Sequence, residues 1–207
     1  MIKWLIIITY YFFVISCFGP SQSYPDSQQI AFVSARDGNF EIYTMDINGL
    51  NQVNISKHNS RDKFPKFSPD GSKLVFSSDR EGDYDIFVMT LDWYGGYIRY
   101  KGINQINLSS QLGDDLYPEF SPTGLEIVFE SLHNDIYEIF TVDTLGNNRT
   151  NLTESIGQDR TPKFSSDGHH IVFWSNRAGK VLLVTALTNL GSMAGAWVAA
   201  AGLIGGI

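Results

Sequence analysis

Between residues 28 and 178 the chain alternates short apolar runs with short polar segments, and no helical period runs through them. Four apolar runs share one form: Ile30 to Ser34, Leu74 to Ser78, Ile127 to Ser131 and Ile171 to Ser175. Each centres on a phenylalanine, and Phe32, Phe76, Phe129 and Phe173 follow one another at steps of 44, 53 and 44 residues. A second run follows three of them: Glu41 to Met45, Asp85 to Met89 and Glu138 to Val142. A third is Gln52 to Ser56, Gln105 to Ser109 and Arg149 to Thr153, and a fourth is Pro65 to Ser68, Pro118 to Ser121 and Pro162 to Ser165. Runs of this length, separated by turn residues, predict strands. Asp70-Gly71, Asp167-Gly168 and Thr123-Gly124 lie between two apolar runs and predict hairpins. Pro65, Pro118 and Pro162 are expected at the start of a strand, where a missing donor is tolerated.

Four short strands in a period near 44 residues predict an all-β chain built as a β-propeller of four-stranded blades, with three to four blades present in an incomplete ring. The one long step comes from an insertion, roughly Trp93 to Gly102, between the second and third runs of one unit. The phrase Phe-Ser-Pro-Asp-Gly at residues 67 to 71, with the Lys-Leu-Val-Phe-Ser-Ser, Asp-Ile-Phe-Val-Met and Asn-Leu-Ser/Thr runs that follow it, resembles the TolB-type, WD-repeat-like propeller repeat. The resemblance covers residues 29–178. It implies a non-enzymatic scaffold that binds a protein or peptide. It leaves open an alternative, the amino-terminal propeller of a larger peptidase or hydrolase of the prolyl-oligopeptidase type.

The flanks read differently. Lys3 and the apolar run Trp4 to Ile15 have the form of a signal peptide over residues 1–16, and Val14-Ile15-Ser16-Cys17 resembles the bacterial lipobox. That resemblance implies lipidation of Cys17, a tether over residues 17–28, and a membrane-anchored lipoprotein of the bacterial cell envelope facing periplasm or cell surface. Cys17 is the single cysteine of the 207-residue chain, so no disulfide framework exists. At the other end, residues 179–207 include 27 uncharged residues from Val181 to Ile207. Three readings stand: a transmembrane helix, degenerate strands of a fourth blade, or the disrupted end of a longer propeller, the last ranked first.

Composition narrows the chemistry. A net charge of -7 without a basic block argues against nucleic acid as the partner. There is no Gly-x-Ser-x-Gly elbow, no His-Glu-x-x-His and no phosphate loop, so no catalytic residue and no cofactor is expected. His58, His133, His169 and His170 have no evident nucleophile partner. The acids Asp79, Glu81, Asp83 and Asp85 lack the glutamate of a calcium loop, and no metal site is assigned.

Asp62, Asp115 and Asp159 recur three residues before each of the three prolines. Their recurrence favours a structural role, accepting backbone hydrogen bonds in tight loops. Partner-binding candidates are Trp93, Tyr94, Tyr97, Arg99 and Tyr100 of the insertion, which breaks the repeat, and the loop arginines Arg36 and Arg80. The partner expected is an envelope protein or peptide, with membrane contact through the lipid anchor.

Overall fold

The computed structural model describes residues 29–94, 97–98, 102–177, 182–187 and 197–202. Its regular elements are all strands. The first sheet holds β1 (Gln29–Ser34), β2 (Glu41–Asp46) and β3 (Val53–Asn54) in that order. The second holds β4 (Asp62–Phe67), β5 (Lys73–Ser78), β6 (Asp85–Thr90) and β9 (Ile103–Asn107), with a two-stranded excursion, β7 (Trp93–Tyr94) and β8 (Tyr97–Ile98), inserted before β9. The third holds β10 (Asp115–Phe120), β11 (Glu126–His133), β12 (Ile136–Asp143) and β13 (Thr150–Asn151). The fourth holds β14 (Asp159–Phe164), β15 (His170–Ser175), β16 (Leu182–Leu187) and β17 (Trp197–Gly202). All pairings are antiparallel between neighbours in sequence, apart from the step over the excursion.

Each sheet is one blade. β10 packs against both β4 and β14, so the first strands of blades two to four lie side by side as inner strands. The alternation of side chains along a strand explains why the middle strands are apolar on both faces. Leu74 and Phe76 of β5 join Ala31, Ile42 and Ile55 in a core shared with blade one. Val75, between them, points the other way and joins Ile127, Phe129 and Val142 of blade three. Val128 and Ile139 turn again, toward Ile171 and Phe173 of blade four. Phe76, Phe129 and Phe173, the largest side chains buried fully in these cores, contribute on the order of 2 kcal/mol each.

The hairpins between the first two strands of each blade follow the expected turn chemistry. The Ser68 amide donates to the Lys73 carbonyl at 2.9 Å, and Gly71 sits at φ 69°. Gly124 has φ 72°, a conformation that favours glycine, and it lies against the Pro69 ring of the neighbouring blade.

The prolines are placed otherwise than the sequence suggests. Pro65, Pro118 and Pro162 lie inside β4, β10 and β14, because each strand begins at the recurring aspartate. The preceding residues Phe64, Tyr117 and Thr161 have φ of 55°, 53° and 50°. The ladder shifts register at each of these points. A bulge thus absorbs the proline that a regular ladder would reject.

At the apolar tail, β16 pairs with β15 from His170↔Leu187 to Ser175↔Leu182, and β17 pairs with β16. Among the described residues no helix is long and apolar enough to cross a membrane.

Candidate partner-binding rim

The antiparallel order gives each blade two rims. The first carries the loops that precede each inner strand and the loops between the second and third strands. The second carries the Asp-Gly hairpins and the turns between third and fourth strands.

Beneath the first rim runs a repeated pin. Asp62 and Asp159 are fully buried, and the guanidinium of Arg80 reaches Asp62 at 3.1 Å while that of Arg177 reaches Asp159 at 2.5 Å. Arg80 also donates to Ser78 Oγ at 2.8 Å and to Gln105 Oε1 at 2.6 Å, and lies over the rings of Phe76 and Phe87. Arg36 repeats the arrangement in blade one with Ser34 and Gln52, over Phe32 and Tyr43. Blade three departs from it. His133 stands at the loop position, and Arg149 stands at the fourth-strand position that Gln52 and Gln105 fill elsewhere. From there Arg149 donates to Ser131 Oγ, comes within 3.5 Å of Asp115, and lies over Phe129 and Phe140. The same guanidinium site is filled from a different strand.

The aspartates therefore face guanidinium groups, not the backbone donors expected of a tight loop. Arg80, with a side chain 11% exposed, is committed inward, whereas Arg36 is an exposed residue that bonds to Ser34 and Gln52. Of the two loop arginines offered by the sequence as contacts, Arg80 serves as an internal brace and Arg36 stays at the surface.

Other repeated polar residues are also absorbed by the fold. Asn54, Asn107 and Asn151 donate to Glu41, Asp85 and Glu138, and Ser56, Ser109 and Thr153 accept the amides of Ile42, Ile86 and Ile139 at 2.8–3.0 Å. In the acidic loop, Asp79 binds Arg61 at 2.7 Å, Glu81 accepts from Asn107 and Asp83 from the Gly113 amide. Among the described residues no group of acids, histidines or cysteines is placed to hold a metal ion.

Burial pushes the Asp115 carboxyl up to about 6, against the pull of the Ser109 and Ser131 hydroxyls and of Arg149. Its folded value lies above its unfolded one, so the native state holds the proton more tightly. The contribution of this group to stability falls as pH rises from about 4 to about 6, by on the order of 3 kcal/mol. Asp115→Asn cannot ionise. We expect its unfolding free energy, relative to the wild type, to rise by up to about 3 kcal/mol between pH 4 and pH 7. Urea denaturation of both proteins at the two pH values checks this; a difference that does not change with pH refutes it.

Above the pins the first rim is aromatic and cationic. The bulges turn Phe64 and Tyr117 into ring contact across two blades, with centroids 4.1 Å apart. The Lys63 ammonium sits 5.2 Å from the Phe40 ring centre and 5.0 Å from that of Tyr84. Arg160 lies 3.9 Å over the ring of Tyr137, and its guanidinium makes two bonds, 2.6 and 3.0 Å, to Oε1 of the fully buried Glu130. Glu130 Oε2 accepts the Thr161 amide at 2.6 Å. Burial raises the Glu130 carboxyl despite these donors. At the loop tips of this rim, Leu112 and Ile156 are 91% and 92% exposed.

None of these rim residues was singled out by the sequence. A signal existed: Phe64, Tyr117 and Thr161 occupy one repeat position yet differ, while the proline after them does not.

The insertion lies on the second rim, where Trp93 pairs with Ile98 and Tyr94 with Tyr97. Arg99 and Tyr100 lie outside the described residues, as do Cys17, the signal segment and the tether.

Antiparallel four-stranded blades stacked through shared cores around their inner strands define a β-propeller. Residues 12–114 match the family model of the TolB beta propeller domain. Among solved structures it is similar to a TolB from Agrobacterium tumefaciens, at 24% identity and TM-score 0.65 over 79% of this chain and 59% of that one. It is similar to TolB from Acinetobacter baumannii, at 22% identity and TM-score 0.63 over 81% of this chain and 40% of the other. It is similar as well to a puromycin-hydrolyzing peptidase of Mycobacterium tuberculosis, at 13% identity and TM-score 0.64 over 80% and 27%. At these identities the likeness is one of fold. The chain spans between about two fifths and three fifths of the two TolB chains. No curated protein sequence matches it.

Proposed function

We propose that the chain is a non-enzymatic binding scaffold, a TolB-like propeller held on the bacterial cell envelope through lipid on Cys17, whose first rim engages a peptide or an envelope protein. The observation that carries this reading is the stacked Phe64–Tyr117 pair at the inner strands, flanked by Lys63 between Phe40 and Tyr84. Partly exposed aromatics around a cation are the residue types that dominate binding energy at protein interfaces. Unlike the pins, these side chains complete no hydrogen-bonded repeat. Their types vary from blade to blade, as a one-sided ligand requires.

The test is capture from envelope extract with the wild type, the double variant Phe64→Ala/Tyr117→Ala, and a second-rim control, Leu125→Ser. Two aromatic anchors lost together weaken a specific partner by at least about tenfold. A partner retained equally by the double variant refutes the assignment of this rim.

A second reading is supported by the fold likeness to the peptidase of Mycobacterium tuberculosis, of whose chain this one spans 27%. In that reading the propeller is an accessory domain of a longer hydrolase. A catalytic domain encoded in frame downstream favours it, and an unrelated gene there excludes it.

A further inference from the structure

We infer that the second rim is a bilayer-contacting face, set against a neutral phospholipid surface when Cys17 carries its acyl chains; the inference rests on that anchoring. Three observations converge on one rim. The chain enters there: Gln29, the first residue of β1, is paired with Asp46 at the end of β2, beside the turn that holds Ile47 and Leu50. Exposed aliphatic side chains gather there too. Ile47 and Leu50 of blade one and Leu125 and Leu145 of blade three are between 56% and 74% exposed. The Leu125 carbonyl accepts the Thr144 amide at 3.3 Å, so the last two belong to touching turns. Between these blades, the same rim of blade two carries the excursion with Trp93, Tyr94, Tyr97 and Ile98 in paired strands. The Leu91 amide, just before it, bonds to the Ser72 carbonyl of the Asp-Gly hairpin and fixes its root on this rim. Exposed aliphatic side chains gathered beside the chain's entry suit a bilayer surface, where apolar side chains enter the headgroup boundary.

Reach selects the same face. The twelve residues from Cys17 to Gln29 span at most about 40 Å when fully extended. A six-residue strand is about 20 Å long, so bringing the first rim to the bilayer would use half of that reach along the blade itself. The second rim touches the surface with a slack tether.

Charge sets the lipid class. The turns of this rim begin with Asp46, Asp70, Asp143 and Asp167, each held by hydrogen bonds from its own turn and each kept below the ordinary aspartate range. They stay ionised at neutral pH. An acidic rim is repelled by anionic headgroups, so the surface is a neutral one such as phosphatidylethanolamine. The consequence is an orientation: the aromatic first rim, with Leu112 and Ile156, faces away from the membrane.

The experiment places benzoylphenylalanine at positions 50 and 145 on the second rim, and at 112 and 156 on the first, in the full chain purified from membranes. Each protein is reconstituted in phosphatidylethanolamine/phosphatidylcholine vesicles and irradiated. All four positions hold exposed aliphatics, so each variant is expected to fold. We expect crosslinks to lipid from 50 and 145 at least about tenfold above those from 112 and 156, and a weaker yield when phosphatidylglycerol is added. Equal yields from the two rims, or none, overturn the inference. Chain-to-chain crosslinks at 50 and 145 in place of lipid ones overturn it in favour of a second copy on this face. An intact mass without acyl groups on Cys17 refutes the anchoring alone. The rim is then judged by the same contrast after a maleimide phospholipid is coupled to Cys17.

Discussion

Arg80→His is expected to cost about 3–5 kcal/mol of stability, and Gln105→Arg added to it is expected to restore more than half. The loss follows from what Arg80 leaves behind. Asp62 is fully buried, and the cation it faces is the Arg80 guanidinium. Removing one member of a buried pair strands the other charge in a medium that cannot solvate it. The stacking of the guanidinium on Phe76 and Phe87 is lost as well. The recovery follows from blade three, where histidine already stands at the loop position and arginine at the fourth-strand position. There Arg149 also donates to the Ser109 carbonyl of the preceding blade, at 2.8 Å. Gln105 makes the matching bond to the Ser56 carbonyl, at 3.2 Å, so an arginine at 105 finds the same acceptor waiting. Urea unfolding of wild type, single and double variants measures both steps. A double variant no more stable than the single one would show that the two arginine placements are not equivalent.

Glu130→Ala is expected to destabilise by about 1–3 kcal/mol, since it leaves the Thr161 amide without its acceptor, and to loosen blade three from blade four selectively. Where Glu130 stands, the other blades have Val33, Ser77 and Trp174, so this carboxylate is a local addition to the repeat. It holds both Arg160 and the Thr161 amide, and Thr161 is the bulge residue with φ 50°. A β-branched residue in that region is strained, and the bond to Glu130 helps to hold it there. With the carboxylate gone, Arg160 keeps its ring contact with Tyr137 but has no buried acid to face. Hydrogen exchange at the Thr161 amide should quicken by orders of magnitude beyond any change at Ile42, which bonds to Ser56 in blade one. Equal acceleration at the two amides would mean a global loss, not a blade-specific one.

Much of the fold was legible because its signals are local. A hairpin is written in four adjacent residues such as Ser68 to Gly71, and a strand in the alternation of five. What was not legible depends on residues far apart in the chain. The spacing of Asp62, Asp115 and Asp159 showed that they recur, but not that guanidinium groups would meet them, because Arg80 stands 18 residues from Asp62 and Arg149 is contributed by another strand. The prolines misled for a related reason. Phe64-Pro65 reads as the opening of a strand, whereas the bulge lets the strand begin earlier at Asp62. Phe64 and Tyr117 looked like part of that phrase, and only blade packing brings their rings together.

Each core cluster joins two consecutive blades and no third. Cohesion in such a stack resembles that of a linear copolymer with nearest-neighbour coupling. Gene-level duplication or loss of one whole blade would change the number of junctions without altering the chemistry of any of them. The unit of tolerated evolutionary change in this chain is accordingly the 44-residue period, and a change of half a blade is far more damaging than a change of a full one.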